Sequence, residues 1–185
     1  MDIIQEIRNF VEEECKKPSS KYGYEPFTFH FIPVVEYAGE LADKLRADKE
    51  AVVISAWLHD IGSMVYGRED HHITGAKIAE QKLEQLGYPR EKIEKVKDYI
   101  LSHRGSQNVK PQTIEAQILV EADTLSAFND IIGLFQCAFA YENLSREEAK
   151  NSVRQKLINK YNQLKFEDSK KIIRPKFEAA MLLLE

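Results

Sequence analysis

The chain holds five histidines, and three of them fall within the fourteen positions of "HDIGSMVYGREDHH". His59 is followed directly by Asp60 at the end of the apolar run "AVVISAWL", and His71 and His72 stand side by side. His30 and His103 complete the set, and Asp123 lies in the apolar stretch "LVEADTLSAF". Imidazole and carboxylate are the side chains that bind divalent transition metals. An unpaired carboxylate buried among apolar groups is strongly unfavourable, so Asp60 and Asp123 each call for a compensating group. Taken singly, each residue has an ordinary reading: Asp123 could cap a helix beginning at Thr124, Asp60 could pair with an arginine, and each histidine could be hydrogen-bonded at a helix end. Taken together, histidines at element ends with two badly placed acids point to a shared cation. Mixed His and carboxylate donors suit Mn, Fe, Ni, Co or Zn better than Ca or Mg alone, with Mg still admissible.

The elements that must position these groups read almost entirely as helix. "DIIQEIRNFVEEECKK" repeats apolar residues at helical spacing (Ile3, Ile4, Ile7, Phe10, Val11), with Asp2 as its cap. "KPSSKYGYEPFTFHF" reads as an aromatic-rich loop, and "IPVVEYAGELADKLRA" as a helix opened by Pro33. "DKEAVVISAWLHDIG" is apolar nearly all round, which predicts a central buried helix capped by Asp48 and closing near Gly62. "EDHHITGAKIAEQKLEQLG" and "PREKIEKVKDYILSH" are amphipathic helices, followed by the loop "RGSQNVKP". "QTIEAQILVEADTLSAFNDIIGLFQCAFAYEN" makes one long or two abutting helices. "SREEAKNSVRQKLINKYNQL" opens on a capping box of Ser145 and Glu148. In the last helix Pro175 marks either the first turn or a kink. No segment alternates with period two, so the expectation is an all-α bundle of about seven to nine helices.

Length and composition narrow the class. A chain of 185 residues with 43% hydrophobic and 30% charged residues predicts one soluble domain over residues 1–185. The net charge of −4 argues against a nucleic-acid polymer as partner. Cys15 and Cys137 fall in apolar helical surroundings and read as buried thiols. No signal peptide is evident, and no run approaches the ~18 apolar residues of a membrane span. The expectation is a cytoplasmic protein without a membrane partner; an oligomer stays open.

The order His30, His59–Asp60, Asp123 resembles the HD-domain metal-dependent phosphohydrolases. "HFIPVVEYAGELA", "AWLHDIG" and "VEADTLSAF" resemble the family's first-histidine, HD and final-aspartate segments, and the likeness runs from about residue 30 to 140, leaving flanking N- and C-terminal helices. It implies a divalent metal on His30, His59, Asp60 and Asp123, and hydrolysis of a phosphate ester or anhydride, often of a nucleotide. Glu121 departs from the pattern, standing where many members carry Asp; it is taken as a group behind the ligands. "HHITGA" and "ILSHRG" resemble segments of branches that hold a second metal, with Asp60 bridging. Branch resemblance favours His71 for that role, amphipathic spacing favours His72, and His103 would complete it.

In such a site the cation would activate water and neutralise phosphoryl oxygens. Asp60 would orient the water, and His71, His72 or His103, if not ligating, could protonate the leaving group. Arg68 and Arg104 could grip phosphate, with Lys77 a weaker candidate; each could equally be a solvated surface charge. Tyr22, Tyr24, Phe27 and Phe29 could stack on a base or simply fill core. The expected partner is a small phosphorylated substrate. The alternatives are a di-iron oxygenase of the same fold and a non-enzymatic sensor that keeps the metal or ligand pocket.

Overall fold

The computed structural model describes residues 2–104 and 110–185. Among these residues every regular element is helical, as the absence of period-two alternation predicts. The chain forms two compact units, Met1–Ala122 and Asp123–Glu185.

In the first unit α1 (Ile3–Lys16) is capped by Asp2, whose carboxylate accepts from the Ile4 and Gln5 amides. Its buried residues Ile7, Val11 and Cys15 recur every four positions and so form one stripe. The aromatic segment is not wholly loop. Phe27–Phe31 forms a π-helical turn that runs directly into α2 (Ile32–Leu45). Single π-helical turns occur frequently at functional sites, and this one carries His30. Phe27 is fully buried, stacked between Tyr24 and Trp57 with ring centroids 5.5 and 5.6 Å away. Tyr22, Tyr24 and Phe29 are exposed, so only Phe27 of the four aromatics belongs to the core.

The apolar third segment becomes α3 (Lys49–Leu58), buried at every position from Ala51 to Leu58. Helices α1, α2, α5 (His71–Gln85) and α6 (Arg90–Ser102) all pack against it. Its side chains join Ile7, Phe31, Leu83, Ile93 and Ile100 in one hydrophobic core. Each such large side chain contributes about 1.5–3 kcal/mol on burial. The segment does not simply close near Gly62. It stops at Leu58, and a short helix α4 (Ile61–Tyr66) starts immediately. Helix α7 (Ile114–Ser126) carries the chain across the boundary between units.

In the second unit α8 (Ile131–Ala140) packs on α9 (Arg146–Gln163), and α9 on α10 (Glu167–Leu183). Thus "QTIEAQILVEADTLSAFNDIIGLFQCAFAYEN" is two helices, with Asp130 capping the second. The Ser145–Glu148 capping box forms, and Ala149, Val153 and Leu157 line the buried face of α9. Pro175 lies inside α10, not in its first turn. Cys15 is buried, but Cys137 is exposed, contrary to the expectation of two buried thiols. The neighbouring Ala138 is the buried residue of α8, and Cys137, about 100° round the helix from it, falls outside that stripe. No helix among the described residues is long and apolar enough to cross a membrane.

Candidate metal centre

Adjacent residues on a regular helix point about 100° apart, so His59 and Asp60 need a break to face one centre. The junction of α3 and α4 supplies it. His59 caps α3 in helical conformation, while Asp60 turns to φ −110°, ψ 11° and opens α4. The Asp60 carbonyl accepts from the Ser63 and Met64 amides, and its carboxylate, which also accepts from the Ser63 hydroxyl at 3.4 Å, lies among the imidazoles.

Two glycines bring the next helix close. A Cβ on Gly62 would lie 2.2 Å from the His71 carbonyl oxygen and 2.6 Å from the Gly75 nitrogen. Glycine at 62 is thus what lets the start of α5 lie against α4. Sequence reading treated Gly62 as a helix terminator and gave Gly75 no packing role. The available signal was that a glycine inside a helical pattern weakens the helix and so calls for a packing reason. Asp70 precedes α5 in left-handed conformation (φ 49°), which Asp tolerates better than most residues.

The imidazoles and the carboxylate converge. His30 Nε2 and His59 Nε2 stand 3.0 Å apart, and His71 Nε2 and His103 Nε2 3.3 Å apart. Asp60 lies between the pairs: Oδ2 is 3.4 Å from His30 and 3.8 Å from His59, and Oδ1 is 3.2 Å from His71 and 3.7 Å from His103. The result is two triads that share one carboxylate: His30–His59–Asp60 and Asp60–His71–His103.

Three backbone contacts set the tautomers. The Nδ1 of His59 donates to Ala56 O at 2.7 Å, that of His71 to Arg68 O at 2.8 Å, and that of His103 to Ile100 O at 2.5 Å. With the proton on Nδ1, a neutral imidazole presents a bare lone pair at Nε2. Such lone pairs repel at these separations unless a proton or a cation lies among them. Donors ~2.1 Å from a common ion stand ~3.0 Å apart at right angles and ~3.4 Å apart at the tetrahedral angle, which brackets the His30–His59, His71–His103, His30–Asp60 and His71–Asp60 spacings, while His59 and His103 stand wider from Asp60 at 3.8 and 3.7 Å. A ligating histidine anchored through its other nitrogen to a carbonyl is the usual support for a metal site. The donor set therefore fits a divalent ion, or two.

Burial pushes the Asp60 carboxyl pKa up, but His59, His103 and His30 outweigh it and hold it well below the usual carboxylate range. His59 is fully buried, whereas 27% of the Asp60 side chain is exposed, so the centre is reachable from solvent along the carboxylate.

The other candidates fall as follows. His72 is buried and belongs to neither triad, and its Nδ1 has no hydrogen-bond partner among the described residues. Burial first, then the charges of His71, Arg104 and His103, hold its pKa below that of an ordinary imidazole. Arg68 and Lys77 are exposed, and Arg104 is half-buried. Glu121 is buried and accepts from Gln117 Nε2 at 3.0 Å. Asp123 is half-buried in the interior of α7, so it does not cap a helix at Thr124, and it is the first residue of the second unit.

Helices that gather four imidazoles around one carboxylate define an all-α protein with a cluster able to hold a divalent metal. The family model described as the HD domain matches residues 28–127, and the chain belongs to the HD-domain family. A relative from Picrophilus torridus, named tRNA (cytidine(56)-2'-O)-methyltransferase, is 32% identical over 136 residues. That alignment covers 65% of this chain but only 37% of the relative, so the name describes a protein of which the shared segment is a minor part. Among solved structures, Bacillus subtilis YpgQ in complex with ADP superposes with TM-score 0.75 at 19% identity, over 97% of this chain and 89% of that one. A predicted HD superfamily hydrolase from an uncultured Thermotogales bacterium reaches TM-score 0.58 at 28% identity, over 85% of this chain and 84% of that one.

Proposed function

We propose that the protein is a metal-dependent phosphohydrolase that cleaves a phosphate ester or anhydride of a nucleotide or another small phosphorylated metabolite. The observation that carries this reading is the pair of triads sharing Asp60, with three histidines locked in the tautomer that offers Nε2. His30, His59 and Asp60 would hold one ion, with Asp123 as the further ligand the family pattern implies. His71 and His103 would hold a second, with Asp60 between the two. A bound divalent ion supplies Lewis acidity toward phosphoryl oxygens and lowers the pKa of water into the neutral range.

The chain's own groups do the rest. Asp60 stays ionised, because its neighbours depress its pKa, and can accept a hydrogen bond from an incoming water while it orients that water. In a protein that holds only the first ion, His71 or His103, once protonated at Nε2, would pass that proton to the leaving oxygen. Arg104, half-buried and adjacent to His103 in the chain, would meet a phosphoryl group; Arg68 and Lys77 would act from the surface. A nucleotide is favoured as substrate by likeness to YpgQ, whose structure holds ADP.

Elemental analysis of protein purified without added metal, paired with phosphate release from nucleotides and sugar phosphates, tests the reading. Wild type is expected to retain Mn, Fe, Ni, Co, Zn or Mg and to release phosphate or pyrophosphate, and Asp60→Ala to lose both. Full activity in Asp60→Ala would overturn it. Two irons with dioxygen consumption and no phosphate release would replace it with an oxygenase of the same fold. Bound metal without turnover on any substrate would leave a sensor.

A further inference from the structure

Beside the metal centre, and wholly within the first unit, lies a cavity of ≈ 790 Å³ that none of the roles above uses. Its wall includes His72 and Ser102, the chain neighbours of His71 and His103, with the His71 and His72 rings 5.8 Å apart. It also includes one face of α6, since Lys95, Asp98, Tyr99 and Ser102 recur at helical spacing, and Asp48, the cap of α3. Lys95 to Ser102 spans ~10 Å at 1.5 Å per residue. The volume falls within the ~300–1,000 Å³ of small-molecule pockets.

The charges of the wall decide what fits. Three carboxylates (Asp48, Asp98, Glu115) stand against two ammonium groups (Lys95, Lys110). A pocket of that balance repels a polyphosphate. Its remaining wall joins aromatic and aliphatic surface, Tyr99 and Ile73, to hydrogen-bonding groups, Ser102 and Gln112. His72 adds a buried imidazole whose Nδ1 lacks a hydrogen-bond partner among the described residues. Apolar walls with a few placed polar groups suit a flat ring with polar edges.

We propose that this cavity binds the uncharged ring-bearing portion of the substrate, a nucleoside, while the phosphoryl groups lie at the Asp60 centre. The assignment rests on the hydrolase reading and adds to it a specificity site. Phosphate and base are thereby separated: the Asp60 centre takes the charge, and the acidic-rimmed cavity takes the neutral part. Binding energy from the nucleoside then serves to place the scissile bond.

The test uses two variants on exposed parts of the wall, Ile73→Trp and Gln112→Trp, which fill the cavity without touching the core. kcat/KM is measured for ATP, GTP, CTP and UTP and for tripolyphosphate, and binding of the four nucleosides is followed by ligand-observed NMR. Wild type is expected to prefer at least one nucleoside triphosphate over tripolyphosphate. Each variant should lower that preference about tenfold or more, chiefly through KM, and weaken nucleoside binding. A preference unchanged within twofold in both variants overturns the proposal, as does a wild type that treats tripolyphosphate and every nucleotide alike. If wild type hydrolyses none of these phosphates, the hydrolase reading fails separately, and nucleoside binding alone decides the cavity: lost in both variants, the assignment holds; absent in wild type, it falls.

Discussion

The Nε2 atoms of His30 and His59 stand 3.0 Å apart, although 29 residues separate them in the chain. The Nδ1–H of His59 donates to Ala56 O, so its Nε2 meets His30 as a lone pair. The same relation recurs between His71 and His103 on the other side of Asp60. Three Nε2 lone pairs, those of His59, His71 and His103, around one ionised carboxylate form a site organised for positive charge.

Metal count follows from the sharing of Asp60. Wild type is expected to bind up to two ions per chain, His71→Ala and His103→Ala about one, and Asp60→Ala none, as read by mass spectrometry of the metals. Equal metal content in wild type and His103→Ala would confine the site to His30, His59 and Asp60.

Chelation should lower thermal stability. An ion that binds only the folded chain stabilises it by about 2.7 kcal/mol at a hundredfold excess over its Kd. For a chain of this size that corresponds to about 5–11 °C in Tm. Differential scanning calorimetry with and without EDTA reads the shift, which should vanish in Asp60→Ala.

The close approach at Gly62 gives a contrast between two glycines. Gly62→Ala forces a methyl group to within 2.2 Å of the His71 carbonyl. Overpacking of this kind costs about 1–3 kcal/mol, and relief by movement of α5 would draw His71 from Asp60. A lower Tm and loss of the ion on His71 and His103 are expected together. Gly39→Ala instead meets Lys49 and Val53 side chains at 3.6 and 3.8 Å, ordinary contact. There the gain of a better helix former predicts a neutral change or a gain of up to about 1 kcal/mol, read from urea unfolding.

The two thiols should differ in reactivity. Burial, followed by the charges of Glu14 and Glu12, pushes the Cys15 thiol up to about 12. At pH 8 its thiolate fraction is then ~10⁻⁴ even before steric shielding. Cys137 is exposed and should be alkylated first by iodoacetamide. Peptide mass spectrometry after a short exposure checks this; labelling of Cys15 at the rate of Cys137 would mean that α1 opens readily.

A pH dependence is expected at Glu50, whose carboxyl is held below its ordinary value by hydrogen bonds from Lys92 and Tyr88. A depressed carboxylate adds stability above its unfolded pKa and loses it as pH falls through the lower folded value. Glu50→Gln should therefore reduce Tm at pH 7 and leave it nearly unchanged at pH 3. Glu50 is 42% exposed, so the effect is screened and stays below about 1 kcal/mol.

Much of this protein could be read from residue order. Helical periodicity placed α1, α5 and α6, because a buried stripe must recur every three to four residues whatever it packs against, while Pro33 marked the start of α2 and the Ser145–Glu148 capping box that of α9. Burial of α3 followed from its unbroken apolar run, and a cation was signalled by carboxylates standing where a lone charge is costly. What the order of residues left open depends on contacts between distant elements. The choice between His71 and His72 turned on which ring reaches Asp60, and both are buried, so hydrophobicity does not separate them. The break between α3 and α4, the π turn beneath His30 and the seat of Gly62 against α5 were likewise decided by packing. Local sequence sets which backbone states are affordable; only the assembled core decides which of them brings four imidazoles to a single carboxylate.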